Sequence, residues 1–149
     1  MKLTGFSIDF AQLANGGPLP KRHGHEHEDV SPALEIEGVP DGTVELALIC
    51  HDPDAPLPQG WVHWTVYGLP ATTEAIADGE VVGREGPTDF GKPGYGGPLP
   101  PVGHGVHHYY FWVYALSRPV QGEPDRVTFL AEYADAIIEQ ARCIGLYQR

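Results

Sequence analysis

Cations are scarce in this chain. Its 9 lysines and arginines face 20 aspartates and glutamates, a formal net charge of −11. A domain so acidic repels phosphate backbones and anionic bilayers, which excludes nucleic acid as the expected partner. Long apolar runs are missing too. No stretch approaches a bilayer span, and Met1-Lys2-Leu3-Thr4-Gly5 has no apolar leader core, so no membrane insertion and a cytoplasmic location are expected. Cysteine is nearly absent. Cys50 and Cys143 offer no disulfide framework and read as buried thiols, one ending an apolar strand and one on a helix; a bridge between them stays open. Gly-x-Ser-x-Gly, a helical His-Glu-x-x-His and a Walker loop are all lacking, which leaves no evident nucleophile or nucleotide cradle.

What the chain does hold is glycine and proline, 19 and 15 of them, dispersed without period. That composition, with 42% apolar residues in a 149-residue chain, predicts one β-rich domain over 1–149 with many shaped loops. Period-two alternation predicts strands over 3–10, 33–37, 44–50, 62–67 and 107–116, with a further short one near Val81-Val82. In the fourth of these, alternation puts Trp61, His63, Thr65 and Tyr67 on one face and Val62, Trp64 and Val66 on the other. In the last, His107, Tyr109, Phe111 and Val113 share a face. Near the end, Leu130, Ala134, Ile137, Ile138, Ala141 and Ile144 fall at helical spacing, with Asp125 or Thr128 as cap and Gly145 as stop. The expected architecture is an amphipathic C-terminal helix packed on a β core.

Chemistry concentrates in two stiff loops. His51-Asp52-Pro53-Asp54-Ala55-Pro56 runs shortly into Gly60-Trp61-Val62-His63-Trp64, and Gly94-Tyr95-Gly96-Gly97-Pro98-Leu99-Pro100-Pro101 runs through Val102-Gly103-His104-Gly105 into His107. Asp52 and Asp54 suit turn chemistry, and one of them suits a pocket role. If the strands carrying His63 and His107 are neighbours, both imidazoles face one cavity. The run His23-Gly24-His25-Glu26-His27-Glu28 places three histidines on one side of an extended segment, where they could chelate a metal; the downstream spacing of a metal cupin fails, and a solvated loop is the better reading. No metal and no cofactor is expected.

Together these segments resemble one family. Asp52-Pro53-Asp54-Ala55-Pro56, Trp61-Val62-His63-Trp64 and Gly97-Pro98-Leu99-Pro100-Pro101 leading to His107-His108-Tyr109-Tyr110-Phe111 resemble the phosphatidylethanolamine-binding protein family. Asp29-Val30-Ser31-Pro32, Thr88-Asp89-Phe90-Gly91-Lys92-Pro93 and the ending Ile144-Gly145-Leu146-Tyr147 are similar to its bacterial Raf-kinase-inhibitor-like subgroup. The resemblance implies a Greek-key β-sandwich of two antiparallel sheets with a C-terminal helix. It also implies an edge cavity for phosphate or a phosphorylated head group, lined by Asp52, Asp54, Trp61, His63, Pro101 and His107 with Tyr109 close by, and a cis peptide at Ala55-Pro56. Four positions depart from the pattern: Ile36 for a frequent Trp, His104 for a common Asp, His108 for the usual Arg, and Ala136 for a frequent His.

The expected function is therefore a binding module for a small anionic or phosphorylated compound. Two alternatives stand beside it: an enzyme that uses Asp52, His63 and His107 for acid/base chemistry on a small organic molecule, and a protein-interaction modulator of a kinase or another enzyme. The sequence names no protein partner and leaves a homodimer open.

Overall fold

The computed structural model describes residues 5–149. The first four residues, where the lack of an apolar leader core and the start of the first strand were read, lie outside the described residues. Strand β3 (Glu45–Asp52) organises the rest, and all of its side chains are buried. A strand can be buried on both faces only where each is covered. Leu46, Leu48 and Cys50 pack into the core shared with the smaller sheet, whereas Ala47 and Ile49 pack with Phe129 of α1 (Arg126–Glu132). Two acids of this strand are buried, Glu45 at its start and Asp52 at its end, and Glu45 accepts a hydrogen bond from the Val120 N–H at 2.9 Å.

β3 lies between β4 (Trp61–Pro70) and β7 (His107–Leu116), and β6 (Arg84–Glu85) and β8 (Ile137–Tyr147) complete a five-stranded sheet in the order β6-β4-β3-β7-β8. β1 (Ser7–Phe10), β2 (Leu34–Glu37) and β5 (Ala75–Ile76) form the second sheet, and every strand pairing is antiparallel. The long connection after β4 brings β7 back beside β3, so β7-β3-β4-β6 is a Greek key. The sandwich expected from the sequence is the observed fold. No helix among the described residues is long and apolar enough to cross a membrane.

The C-terminal helix is a correction. Asp125 does cap a helix, its side chain accepting from Thr128 N–H, but α1 stops at Glu132 and a 3-10 turn follows over Ala134–Ala136. Ile137–Tyr147 is then a strand, paired with β7 along its length. Its apolar residues fit both periods: Ala141, Cys143, Gly145 and Tyr147 alternate onto one strand face, while Ile137, beyond a register shift, packs on the α1 side. The open edge of β7 decides the matter, because its buried backbone groups need partners. The strand expected near Val81-Val82 forms instead as the two-residue β6. A Cys50–Cys143 bridge is ruled out by register. Cys50 pairs with Phe111 and Phe111 with Cys143, so the two backbones stand two strand spacings apart, roughly 9.5 Å, beyond the reach of a disulfide. Burial raises both thiols, that of Cys143 to about 12, so neither is reactive.

β8 would be an exposed edge, but Gly16–Leu19 runs along it: Leu19 N–H donates to Leu146 O at 2.8 Å and Leu146 N–H to Gly17 O at 3.0 Å. Gly145, read as a helix stop, has another task here. A Cβ on it would lie 2.5 Å from the Leu19 side chain. Gly145→Ala is expected to cost about 1–3 kcal/mol in urea unfolding through overpacking. Combined with Leu19→Ala, which opens the space, it should cost less than the sum of the two single changes.

Candidate functional site

The loop between β3 and β4 begins on a buried carboxylate. Asp52 is only 2% exposed, and its Oδ1 accepts the Asp54 N–H at 2.8 Å, the turn chemistry expected of Asp before Pro. The expected cis bond at Ala55-Pro56 is absent, for no described peptide is cis. Leu57 N–H donates to Ala55 O at 2.7 Å, a tight turn about Pro56 that a trans bond accommodates.

The facing of β4 also needs correction at its start. Trp64 and Val66 face the smaller sheet and Tyr67 faces α1, as alternation requires. The β3–β4 register slips between Cys50, opposite Trp64, and His51, opposite Val62, which leaves His63 as the extra residue of a bulge. A bulge re-aims side chains. Trp61 and His63 therefore turn away from the face of Tyr67, and the His63 ring meets Tyr109 and Phe90 edge-on, at centroid distances of 5.1 and 5.4 Å.

The bulge is locked to the Gly/Pro loop by a reciprocal pair. Gly96 N–H donates to His63 O at 2.9 Å, and His63 Nδ1 lies 2.6 Å from Gly96 O. A carbonyl only accepts, so Nδ1 carries the proton and Nε2 presents a lone pair. Burial pushes this imidazole down to about 4, against the Gly96 and Gly97 carbonyls and Asp52, which favour the cation. His63 is neutral across the physiological range.

His107 is wired differently. Its Nδ1 lies 2.7 Å from Asp52 Oδ2, with both groups buried, and its Nε2 lies 2.6 Å from Nδ1 of the exposed His104. Carboxylate and two imidazoles thus form a continuous chain from the interior to solvent. Asp54, expected in the cavity, is not there. Its Oδ2 accepts from both the backbone N–H and Nδ1 of His108, each at 2.7 Å, on the outer flank of the loop. Burial raises the Asp54 carboxyl, but the bonds from the His108 ring and backbone outweigh it and hold it below its ordinary value. His108 thereby does for the loop what an arginine at that position could do.

Asp52, Trp61, His63, Pro101, His107 and Tyr109 line one cavity of about 290 Å³. Its remaining walls, which sequence reasoning did not single out, are Ala55, Pro56, Leu57, Phe90, Leu99 and Pro100, all apolar. Two polar atoms of the lining, Trp61 Nε1 and the Tyr109 hydroxyl, are buried without a hydrogen-bond partner. Burial first, and the nearby Asp52 charge second, raise the Tyr109 pKa, so its hydroxyl keeps its proton. No Lys or Arg is among the described lining residues.

The histidine run at 23–27 serves this cavity from behind. His23 is buried, with Nδ1–H on Val30 O at 2.7 Å, and the His25 ring stacks on Phe90 at 4.6 Å. The solvated-loop reading holds for Glu26, His27 and Glu28, which are exposed, and not for His23. No group of three or more His, Cys, Asp or Glu among the described residues is arranged to hold a metal. Arg149 ties the outer lip: its Nε–H donates to Pro100 O at 2.6 Å, its carbonyl accepts from Gly103 N–H, and its guanidinium pairs with Glu26.

Residues 10–148 match the family described as phosphatidylethanolamine-binding protein. The chain belongs to that family. Among relatives, it is 42% identical over 144 residues to a UPF0098 protein of Aquifex aeolicus, with 91% of this chain and 84% of that one covered. It is 41% identical over 121 residues to the UPF0098 protein YbhB of Escherichia coli, covering 70% and 74%. Two crystal structures share its fold. One is a putative phosphatidylethanolamine-binding protein homolog, CT736 of Chlamydia trachomatis, with a TM-score of 0.91 at 28% identity and 99% of each chain covered. The other is YbcL of Escherichia coli, with a TM-score of 0.88 at 32% identity, covering 97% of this chain and 98% of that one.

The depressed His63 pKa has a consequence for stability. The folded state refuses a proton that the unfolded chain takes up below about 6.5. Stability is therefore complete above pH 6.5 and falls as the pH drops towards 4, by a His63 contribution on the order of 3 kcal/mol. Urea titrations at pH 7 and pH 5 should show the larger part of this loss, about 2 kcal/mol, and it should shrink in His63→Phe.

Proposed function

We propose that this protein binds a small compound with an apolar body and an anionic, phosphate-like head in the cavity between the Asp52–Trp61 loop and the Gly96–Pro101 loop. The observation that carries this reading is the pair of orphaned donors, Trp61 Nε1–H and the Tyr109 O–H, in a lining that is apolar apart from them and from Asp52, His63 and His107. A buried donor without an acceptor costs free energy, and an incoming oxygen relieves that cost. The name of the family points to the same class of head group. Apolar walls around a few placed polar groups are what small-molecule sites need. The expected outcome is saturable binding of phenyl phosphate at pH 6 by calorimetry. Tyr109→Phe, which keeps the ring and deletes the donor, should weaken it at least tenfold, in line with roughly 1.5–3 kcal/mol for a hydrogen bond to a charged group. Unchanged affinity in that variant would count against the reading.

A second reading, acid/base catalysis in the same cavity, is favoured by one feature: the Asp52–His107–His104 chain, which could carry a proton between the lining and solvent. His63 does not belong to that set, since its Nδ1 is held by Gly96 rather than by a carboxylate. If the protein turns over a metabolite, His107→Gln should abolish turnover and His104→Ala should lower it and shift its pH profile. Equal rates in all three proteins would remove this reading.

A further inference from the structure

The cavity contains two imidazoles, and they are not equivalent. Both ring nitrogens of His107 are engaged, Nδ1 by Asp52 at 2.7 Å and Nε2 by His104 at 2.6 Å. His63 has one nitrogen engaged, on Gly96 O, and Nε2 has no partner among the described residues. The free imidazole nitrogen of the lining is thus His63 Nε2. Because Nδ1 holds the proton, that nitrogen can accept a hydrogen bond but cannot give one. Any oxygen brought against it must carry its own proton, or two lone pairs meet.

We infer that the cavity selects oxyanions that still carry a proton, taking a phosphomonoester as its monoanion and rejecting the dianion and the sulfate ester. The inference rests on the binding reading above and assigns the roles within it. The charged oxygens of the head accept from Trp61 Nε1–H and the Tyr109 O–H, while its P–OH donates to His63 Nε2. The apolar walls Leu57, Phe90 and Leu99 take the body.

The electrostatics point the same way. The groups facing His63 are Asp52 and His51 from β3, His107 and Tyr109 from β7, and the Gly96 and Gly97 carbonyls from the loop, with His25 behind Phe90. A dianion would bring a second negative charge towards the Asp52 carboxylate with no lysine or arginine in the described lining to offset it. Burial of His63 to 3% exposure disfavours its cationic form, which removes the alternative of a protonated ring that donates. Protonation of the ligand, not of the protein, then sets the pH dependence.

A matched pair of probes tests this in the unmodified protein. Phenyl phosphate and phenyl sulfate have the same body and the same tetrahedral head, but only the phosphate has a second proton, lost near pH 6. Calorimetry at pH 5.5 should show phenyl phosphate binding at least tenfold more tightly than phenyl sulfate. Its affinity should fall several-fold by pH 7.5 along the ligand's own titration curve, with the weak sulfate affinity unchanged. In His63→Phe the phosphate preference at pH 5.5 should vanish, and the decline of phosphate affinity with pH should become shallower, leaving only the part due to Asp52. Equal affinity for the two probes, or a phosphate affinity that does not decline with pH, overturns the selection of protonated heads and leaves the binding reading standing. Binding of neither probe at either pH overturns both.

Discussion

A carboxylate taken out of water has to be answered by donors, and this site is arranged around that demand at Asp52. Its two oxygens are answered by a backbone N–H two residues on and by an imidazole from β7. An unpaired buried charge would cost several kcal/mol, so neither partner is optional. The first bond sets the turn that starts the β3–β4 loop. The second crosses from β3 to the start of β7 and fixes which nitrogen of His107 carries the proton. Shape of the loop and tautomer of the histidine thus follow from one buried charge, and the cavity lies between them.

The sheets hold this arrangement still. β3 is buried on both faces by the smaller sheet and α1, β7 is buried on the face it turns to the smaller sheet, and the edge beyond them is closed by β8 and the Gly16–Leu19 segment. The loops add their own ties. Asp29 accepts the Gly97 N–H, Arg149 holds Pro100 and Gly103, and His25 backs Phe90 by stacking. Most polar groups near the cavity are used up in these ties. Trp61 Nε1, the Tyr109 hydroxyl and His63 Nε2 are left over, two donors and one acceptor, and that surplus is informative.

Much of this was legible in the sequence where a single period governed a segment. β7 shows its two faces as alternation requires, and Asp52, Trp61, His63, Pro101, His107 and Tyr109 meet at one cavity as the paired loop motifs implied. What escaped was decided by partners far away in the chain. The last strand carries apolar residues that satisfy helical and extended spacing at once, and only the open edge of β7 chooses between them. The facing of Trp61 and His63 depended on a one-residue slip against β3, which no local pattern announces. Asp54 looked like a twin of Asp52 across Pro53, yet a turn sends their side chains apart, one to the cavity and one to His108. Phe90 and Leu99 gave no signal as lining residues because apolar residues in loops carry no period.

The departures at 104 and 108 become intelligible once the wiring is seen. His108 answers Asp54 from outside and keeps the loop tied without a permanent cation beside the cavity. His104 answers His107 and extends the buried pair to the surface. An imidazole can both give and accept a hydrogen bond, which neither a carboxylate nor a guanidinium does. An aspartate at position 104 would compete with Asp52 for the proton of His107. His104 can instead donate to His107 Nε2 and leave Nδ1–H on Asp52. The two imidazoles of the cavity are thereby given opposite characters: His63 is pinned in one tautomer by a backbone carbonyl and sealed from water, whereas His107 is coupled to solvent through an exposed neighbour. A binding site gains a fixed acceptor from the first and a hydrogen-bonded path to the surface from the second.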